Sequence, residues 1–297
     1  MVPGFGASTL LRADHELWTD IAAAELAAGP AIWQAAAGSR DFAPVKKILV
    51  AVKRVVDHNV RIRVRDDGSG VETDNVRLSM NPFDRHAVEA AVQLAEKGQA
   101  EEIVVVSIGP KGATDVILSA LAMGAHRGVL IETDAALETL AVAKLLAALA
   151  GEEGPDLVLL GKQAVDDDSS HVGQMLAGLL DWPQATFASG IEVAGDGLKI
   201  TREVDFGRVE VGLSLPAVVT ADLRLNTPRN AALPMVMKAR QKPLAARPAE
   251  AFGVDLVPRL VVERVASPRA RAAGETVADI ATLARIIVDK AAETELG

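Results

Sequence analysis

The stretch LVLLGKQAVDDDSSHVG, residues 157–173, decides the fold class of this chain. Its apolar start predicts a buried strand, Gly161 predicts a turn, and the residues that follow predict a helix from about Asp168 to Leu180. In an open parallel sheet, ligands bind beyond the carboxyl ends of the strands, where helix N-termini attract anions. We therefore expect an anion-binding turn here, with Gly173 and Gly178 leaving room for a ligand.

Strand and helix signals alternate on both sides of this stretch. The expected strands lie at about 46–52, 103–108, 128–131 and 217–221, and the expected helices lie at about 81–97, 112–124 and 137–150. Asn81-Pro82 is a favourable helix start, because Asn suits the N-cap and Pro suits the first helical position. The alternation predicts a Rossmann-like parallel α/β sheet flanked by helices.

Shorter elements are expected between and after these. They are a hairpin from 60–64 and 71–73, an antiparallel flap from 190–193, 198–204 and 209–213, a strand near 260–265 and a final helix near 277–292. Residues 223–249 have no clear periodicity and are expected to be irregular. The chain is expected to end in an extended arm.

Residues 1–44 differ from the rest of the chain. They are rich in alanine and allow a helix from about Asp14 to Ala28. The apolar run after Lys46 marks the start of the main domain, and the codon of Val45 is a candidate internal start. The first 44 residues are therefore either an upstream extension or a genuine appendage.

Composition narrows the function classes. A net charge of −9 argues against a nucleic-acid-binding surface as the main function. The absence of Cys excludes disulfides, thiolate catalysis and cysteine-ligated metal clusters. No apolar run reaches the roughly 18 residues of a membrane span. Acidic residues such as Asp14 and Glu16 interrupt any export or mitochondrial signal, so a cytoplasmic location is expected.

The acidic run Asp166–Asp168 conflicts with a phosphate site, because carboxylates repel phosphate unless they turn away or cap the helix. One interpretation makes these residues, with Ser169, turn and N-cap residues. The other makes them a divalent-metal site, although no well-spaced partner carboxylate is evident. His171 is interpreted as a packing or hydrogen-bonding residue.

Further segments are expected at the same sheet edge. The first strand ends in the basic pair Lys53-Arg54, and Met80–Asp84 forms another helix start. Ile108-Gly109-Pro110 is a third turn that is compatible with an anion. Three such turns at one edge favour a bound nucleotide, although a solvated strand end would also explain the basic pair.

One stretch is basic in this acidic chain. Between Leu223 and Ala249 there are six basic residues and no acidic one, and they surround the apolar segment Leu233–Met237. Apolar residues inside a charged rim are typical of a protein-docking site, and a basic rim speeds encounter with an acidic partner. The alternatives are a loop packed on its own domain and, more weakly, a nucleic-acid site, since the stretch has no aromatic residue to stack on bases.

Several motifs together carry a family resemblance. They are Val50–Arg54, Ser79–Phe83, Ala120–Ala125, Leu160–Asp168, Asp181–Gln184, Leu215–Asn226 and Leu233-Pro234. They occur in order over about residues 46–265, and on them the chain resembles the beta subunits of electron-transfer flavoproteins. Residues 1–44 lie outside the resemblance.

The resemblance implies an adenine-nucleotide alpha-hydrolase-like fold and a heterodimer with an alpha subunit. It implies FAD held mainly by the alpha subunit at the interface, and a structural AMP buried in this chain. The implied AMP contacts are Ala51, Asn81, Pro82, Phe83, Asp84, Ile108, Gly161, Lys162, Gln163, Ala164, Val165, Asp166, Asp167, Asp168, Ser169, Ser170, His171 and Val172. His58 and Phe83 would lie toward the flavin.

The resemblance also implies an electron path that serves fatty acid oxidation. The complex would accept electrons from acyl-CoA dehydrogenases and pass them to an electron-transfer flavoprotein-quinone oxidoreductase, and this chain would have no catalytic residues of its own. The implied docking residues in the recognition loop 231–242 are Leu233, Pro234, Met235, Lys238, Arg240 and Lys242, with Leu233 as the anchor. The nucleotide-binding domain would span 45–252, and an arm, 253–297, would pack on the partner subunit.

The unbroken run Asp166–Asp168 resembles the AMP-binding members of the family, whereas electron-bifurcating members carry a second FAD in that place. His171 departs from this pattern, because Gln is usual there, and leaves one contact of the ligand open. Two hypotheses stand outside the resemblance. They are an ATP- or AMP-binding regulatory module of similar build, and a metal-dependent phosphoryl-transfer enzyme that uses the three aspartates.

Overall fold

The computed structural model describes residues 45–268, 274 and 276–294. The strands in these residues are β1 Val45–Ala51, β2 Arg54–Val56, β3 Leu78–Met80, β4 Ala100–Gly109, β5 Arg127–Glu132, β6 Leu157–Gly161, β7 Gln184–Ala194, β8 Gly197–Val204, β9 Gly207–Ser214, β10 Ala217–Ala221 and β11 Leu244–Pro248. The α-helices are α1 Pro82–Glu96, α2 Thr114–Met123, α3 Thr139–Glu153, α4 Val172–Leu180, α5 Leu233–Ala239 and α6 Ile280–Thr294. Within these same residues, no helix combines the length and the apolar character that crossing a membrane requires.

One large sheet has the strand order β11-β5-β4-β1-β6-β10-β7-β8-β9. The strands from β11 to β7 run parallel to their neighbours, and β7, β8 and β9 form an antiparallel flap. The order reverses at β1, because the chain proceeds to β4 and β5 on one side and to β6 and β10 on the other. A reversal of this kind leaves a crevice at the carboxyl ends of the central strands.

The central strand β1 shows why the sequence favours this sheet. Ile48 and Val50 pack on one face with residues of α1 and α2, whereas Leu49 packs on the other face with residues of α3 and α4. All three side chains are fully buried. A parallel strand covered by helices on both sides needs a continuous apolar run, which is the pattern that predicted it. The predicted α/β fold with its antiparallel flap is confirmed.

The hairpin expected from 60–64 and 71–73 is much shorter than predicted. It is reduced to a single antiparallel bridge between Val64 and Val71. The nearby antiparallel pair is instead formed by β2 and β3, which flank this segment. The predicted strand near 260–265 is also wrong. Its apolar residues, such as Val261 and Val262, are exposed, and no strand among the described residues pairs with them.

The segment 223–249, which the sequence predicted to be irregular, contains α5 and β11. Strand β11 pairs in parallel with β5 at the sheet edge, from Leu244 opposite Gly128 to Pro248 opposite Glu132. An edge strand is held mainly by backbone hydrogen bonds, so its side chains need no apolar alternation, and proline is tolerated there. This explains why periodicity failed to predict it.

The chain divides into two compact units. The first contains the large sheet and its helices. The second comprises residues 61–75 together with the described residues from Val261 onward, and in it the Val265 N–H donates to Gly68 O at 2.9 Å. Its helix α6 begins three residues later than predicted and exposes Ile280, Ile287 and Val288. The expected helix at 14–28 lies outside the described residues.

Candidate functional site

A cavity of about 290 Å³ opens at the carboxyl ends of β1, β4 and β6, where the strand order reverses. Its walls come from the ends of these strands, from the chain that leads from β5 into α3, and from the loop between β6 and α4. The lining residues include Lys53, Ile108, Leu137, Gly161 and His171. The volume is close to the lower end of the range for small-molecule sites, and the position is the usual one for ligands of open α/β sheets.

Asp84 joins the ends of two central strands in the wall of this cavity. Its carboxylate accepts the backbone N–H of Lys53 at 2.7 Å and that of Gly161 at 3.0 Å, and the residue is buried. Asp84 lies in the first turn of α1, where the helix dipole favours a negative charge. The side chain therefore fixes the spacing of β1, β6 and α1.

The titration of Asp84 gives a testable pH dependence. Burial raises its pKa to about 7, against the hydrogen bonds from Lys53 and Gly161 that favour the charged form. The folded protein therefore keeps this proton up to about pH 7, whereas the unfolded chain releases it near the ordinary value of 3.8. Because the folded state then binds more protons, this group makes the free energy of unfolding fall by on the order of 2 kcal/mol from about pH 5 to pH 8.

Denaturant titrations at several pH values measure this effect. Asp84→Asn is the reference, because it removes the titrating group while keeping the size of the side chain. The variant is expected to be less stable at every pH, since its amide replaces one acceptor oxygen. The comparison therefore uses the slope of the free energy of unfolding against pH and not its absolute value. An equally steep decline in Asp84→Asn would show that the carboxyl of Asp84 is not the cause.

Only glycine fits at the end of β6. A Cβ at Gly161 would lie 2.3 Å from Asp84 Oδ1 and 2.6 Å from Phe83 Cβ. Gly173 lines the cavity, but its small size is also required by packing, because a Cβ there would lie 2.4 Å from Thr220 Cγ2. Gly178 is exposed and is not part of the cavity lining. The expectation that its small size makes room for the ligand is therefore wrong.

The helix predicted from Asp168 begins at Val172 instead. Asp168 and Ser170 have φ angles of 52° and 54°, in the left-handed region that a right-handed helix cannot contain. Non-glycine residues in this region cluster at binding sites. The loop between β6 and α4 therefore extends over residues 162–171, and the N-terminal N–H groups of α4, which lack partners within the helix, follow it directly.

The positive charge of Lys53 offsets part of the negative charge of the run Asp166–Asp168, which conflicted with an anion site. Its Nζ lies 2.8 Å from Asp166 Oδ2 and 3.1 Å from Asp167 Oδ2. Burial lowers the pKa of Lys53, but the two carboxylates outweigh this effect and hold the pKa above its usual range. The third carboxylate, that of Asp168, accepts a hydrogen bond from Gln163. These contacts support the interpretation of the three aspartates as turn residues, whereas the N-cap part of that interpretation is wrong, because His171 occupies the N-cap position of α4.

Asn81 connects α1 to the same loop. It precedes α1 as predicted, but its side chain makes no cap hydrogen bond. Its Nδ2 instead donates to Gln163 O at 2.8 Å, and its Oδ1 accepts the Val165 N–H at 3.3 Å. The amide of Asn81 therefore supports the loop from outside the cavity lining.

The ammonium group of Lys162 contacts residues of its own domain. Its Nζ lies 2.8 Å from Asp222, and 5.4 Å and 5.1 Å from the ring centres of Phe83 and Phe187. Burial raises the pKa of Asp222, but the hydrogen bond from Lys162 outweighs it, so that the net pKa is lowered. The ion pair and the two rings fix the start of the loop after β6.

A second surface is formed by α5. This helix packs on α2 through the buried Ala239, whereas Leu233 and Met237 are 73 % and 66 % exposed. Leu233 and Met237 are four residues apart and therefore share one face of the helix. The segment thus presents an apolar face, with Lys238 and Arg240 exposed beside it.

Two cations fix the segment that carries α5. Before the helix, Arg229 Nε lies 2.9 Å from Glu89 Oε2, and its Nη2 donates to Glu96 Oε2 at 2.8 Å, so that Arg229 engages two of the carboxylates of α1. After the helix, Lys242 Nζ donates to Leu121 O at 2.9 Å and to Ala125 O at 2.6 Å. These carbonyl groups lie at the carboxyl end of α2, where a cation is favourable.

A groove of about 880 Å³ lies beside α5. Val236 and Arg240 of the helix line one side, and His58, Arg77 and Pro82 line others. The exposed face of α5 and the imidazole of His58 are therefore close to one open surface of the first unit.

Known proteins match the chain over most of its length. The family described as electron transfer flavoprotein domain matches residues 69–252. Electron transfer flavoprotein subunit beta of Bradyrhizobium diazoefficiens is 56 % identical over 237 residues, which cover 80 % of this chain and 95 % of that protein. The chain belongs to the electron transfer flavoprotein family.

Two more relatives extend this similarity to distant organisms. The electron transfer flavoprotein subunit beta of Homo sapiens is 52 % identical over 241 residues, which cover 79 % of this chain and 94 % of that protein. The mitochondrial subunit beta of Arabidopsis thaliana is 48 % identical over 236 residues, which cover 79 % of this chain and 94 % of that protein. The resemblance to electron transfer flavoprotein beta subunits is thus confirmed.

The structure separates the nucleotide contacts implied by the electron transfer flavoprotein resemblance into two groups. Those that line the cavity are Ala51, Asp84, Ile108, Gly161, Lys162, Gln163, Ala164, Asp167, Ser169, Ser170, His171 and Val172. Those outside its lining are Asn81, Pro82, Phe83, Val165, Asp166 and Asp168. In the second group, Asn81 holds the loop through Gln163 and Val165, and Asp166 holds it through Lys53.

Sequence reasoning missed one wall of the cavity. Thr133, Leu137, Thr139, Val142 and Leu146 line it from the end of β5 through the first half of α3. The available signal was the position of this segment after a buried strand, because the carboxyl ends of parallel strands meet at one edge.

The two residues predicted to face the flavin lie in different places. The side chain of His58 is 59 % exposed in the groove beside α5. Phe83 is buried and lies against Lys162. Their roles toward a flavin stay a prediction. Over 45–268 and the described part of the arm, His, Asp and Glu residues form no group of three or more that could hold a metal ion.

Proposed function

We propose that this chain is the beta subunit of a heterodimeric electron transfer flavoprotein and that it pairs with an alpha subunit. FAD lies at the subunit interface, accepts electrons from acyl-CoA and related dehydrogenases, and passes them to the quinone oxidoreductase of the membrane. The observation that carries this proposal is the 56 % identity over 95 % of a protein named subunit beta. The chain serves as an electron carrier and not as an enzyme.

The cavity at the strand reversal binds AMP in this proposal. Leu137, Val142 and Leu146 provide an apolar wall that suits an adenine ring. The loop 162–171 and the first turn of α4 offer backbone N–H groups to a phosphate. The acidic run opposes the phosphate less than its sequence suggests, because Lys53 pairs with two of its carboxylates. AMP fills the crevice and orders the loop, and so has a structural role.

The arm from 253 to 297 packs on the alpha subunit in this proposal. Its apolar residues Leu260, Val261 and Val262 are exposed, and so are Ile280 and Val288 of α6. Leu260–Val262 is an exposed apolar run, and exposed apolar surface of this kind marks interaction sites. A partner subunit provides the apolar cover that these residues lack.

FAD supplies the redox chemistry when it is bound, and this chain contributes enclosure and docking. His58 lies toward the flavin, and the groove beside α5 brings this residue close to the docking surface. The apolar face of α5, with Leu233 as the anchor, inserts into an apolar site of the dehydrogenase. The exposed Lys238 and Arg240 beside it favour an acidic rim on that partner.

Coexpression with the alpha subunit of the same organism tests the heterodimer. We expect a yellow complex whose absorbance shows flavin occupancy near saturation. This chain purified by itself should carry little flavin. A stable co-purified pair that lacks flavin would contradict the proposed role.

Leu233→Ala tests the docking surface. Because Leu233 is largely exposed and is not part of the cavity lining, we expect unchanged AMP and flavin contents and a rate of electron acceptance from an acyl-CoA dehydrogenase reduced about tenfold or more. Stopped-flow reduction of the flavin by the substrate-loaded dehydrogenase measures the rate. Leu179→Ala, which truncates an exposed leucine of α4, is the matched control. Loss of flavin in Leu233→Ala would show instead that α5 has a structural role.

A further inference from the structure

The sulfur atoms of this chain belong to methionine alone, because it has six Met residues and no Cys. Five of the six lie in the described part of the chain. Met123 is buried, and Met80 and Met175 are partly buried. Met235 is 36 % exposed and Met237 is 66 % exposed. The two exposed methionines of the described residues are therefore two residues apart in one short helix.

That helix is α5, whose apolar face also presents Leu233 and Val236. Met237 lies one turn after Leu233 and next to it on the helix surface. Met235 lies one turn before the buried Ala239 and is closer to the α2 side of the helix. A chemical change at Met237 thus alters the exposed face directly, and a change at Met235 alters its edge.

We propose that Met235 and Met237 are sites of oxidation by peroxides, and that a sulfoxide at Met237 disables the docking face of α5. The first part depends only on the exposure of the two side chains. The second part rests on the proposed docking function of this helix.

The reaction with hydrogen peroxide is balanced and needs no residue of the protein as catalyst. The thioether sulfur attacks one peroxide oxygen, an S–O bond forms, the O–O bond breaks, and the other oxygen leaves as water after proton transfer. Sulfur is oxidised by two electrons and the peroxide is reduced. The product is a polar sulfoxide, which methionine sulfoxide reductases convert back to the thioether.

The sulfoxide oxygen is unfavourable in an apolar interface. It is a strong hydrogen-bond acceptor, and it must lose its water when the helix enters an apolar site of the partner. One such unpaired group weakens binding by about tenfold. The face is adapted to apolar contacts, since Leu233 is exposed one turn before Met237 on the same side of the helix.

The surrounding structure is expected to tolerate this modification. Helix α5 is held by the buried Ala239 and by Lys242, which donates to Leu121 O and Ala125 O, and neither contact involves an exposed sulfur. Oxidation of Met123 would instead destabilise the fold, because its side chain lies in the core. The inference therefore predicts a loss of docking without a loss of fold or nucleotide.

Peptide mapping of the full-length chain after brief exposure to hydrogen peroxide tests the site itself. We expect sulfoxide to appear first at Met237, then at Met235, and more slowly at Met80, Met123 and Met175. Circular dichroism and nucleotide content should stay unchanged while the first two react. Equal rates at Met237 and Met123 would overturn the inference.

Stopped-flow reduction of the complete complex by a substrate-loaded acyl-CoA dehydrogenase tests the consequence. Peroxide treatment is expected to lower the rate at limiting dehydrogenase by about tenfold, and methionine sulfoxide reductases A and B are expected to restore it. The double variant M235L/M237L is the control, because it has no thioether in α5. Each protein is compared with its own untreated rate, and the variant should lose less than about twofold.

Leu233→Ala separates this inference from the docking proposal. If Leu233→Ala slows electron acceptance but complete oxidation of Met237 does not, the inference is wrong and the docking function stands. If neither change slows electron acceptance, the docking function fails and the proposed consequence of oxidation fails with it.

Discussion

Gly161→Ala is expected to abolish retention of the nucleotide and to lower the free energy of unfolding by at least about 2 kcal/mol. The new methyl group would lie 2.3 Å from Asp84 Oδ1 and 2.9 Å from the backbone N of Asp84. Neither atom can move easily, because the carboxylate of Asp84 holds the ends of both β1 and β6. Relief of the clash must therefore separate α1 from β6 and distort the cavity wall.

Gly178→Ala is the matched control for this prediction. Apart from its chain neighbours and the backbone of α4 itself, no described atom lies within 4 Å of the added methyl group, and the position is inside α4. Alanine favours the helix over glycine, so we expect a gain of about 0.5 to 1 kcal/mol and unchanged nucleotide. Mass spectrometry of released nucleotide and urea denaturation measure both variants. Normal nucleotide retention in Gly161→Ala would show that the cavity is not the binding site.

Arg229→Met is expected to lower the free energy of unfolding by about 3 kcal/mol, because it leaves the carboxylate of Glu89 buried without its cation. Burial raises the pKa of Glu89, but the hydrogen bonds from Arg229 outweigh it, so that the folded protein holds this group charged. Without Arg229 the pKa should rise above its ordinary value. The loss should also release the chain before α5 and slow electron acceptance.

Urea denaturation at neutral pH measures this effect, with Arg224→Met as the control. The side chain of Arg224 is 65 % exposed, and within the described part of the chain its one ion pair, with Glu203, is 3.4 Å long. Exposed pairs of this kind contribute about 1 kcal/mol or less. Arg229→Lys should lie between the two, since it keeps the charge but loses the two-carboxylate geometry. Equal stability losses in Arg229→Met and Arg224→Met would contradict the proposed role of Glu89.

The buried strands could be predicted from the sequence because their pattern is local. Ile48–Val50 and Leu157–Leu160 are continuous apolar runs, and a strand covered on both faces requires such runs. The Asn81-Pro82 signal likewise predicted the start of α1 correctly. In each case a few neighbouring residues determine the structure.

The edge strand β11 and the start of α4 could not be predicted in this way. Strand β11 exists because β5 offers a free edge more than 100 residues away in sequence, and its own side chains are mostly exposed. The run Asp166–Ser170 resembles a helix N-terminus, but its left-handed residues make it a loop. Aspartate and serine favour both structures, so propensity does not decide between them.

The chemistry of the candidate site was predicted in part. The turn at Gly161 and its place at a sheet edge follow from the strand–turn–helix pattern. The pair of Lys53 with Asp166 does not, because 113 residues separate them and only the fold brings them together. The apolar wall from Leu137 to Leu146 was missed although its position after the buried strand β5 was a usable signal.

Identification of the molecules released by denaturing the purified complex of this chain and its alpha subunit tests the proposed function. Mass spectrometry should find AMP and FAD in amounts equal to that of this chain, with AMP reduced strongly in Gly161→Ala and unchanged in Gly178→Ala. Release of ATP in place of AMP would support a regulatory nucleotide-binding module instead. A folded, intact complex that releases neither AMP nor FAD would contradict the account.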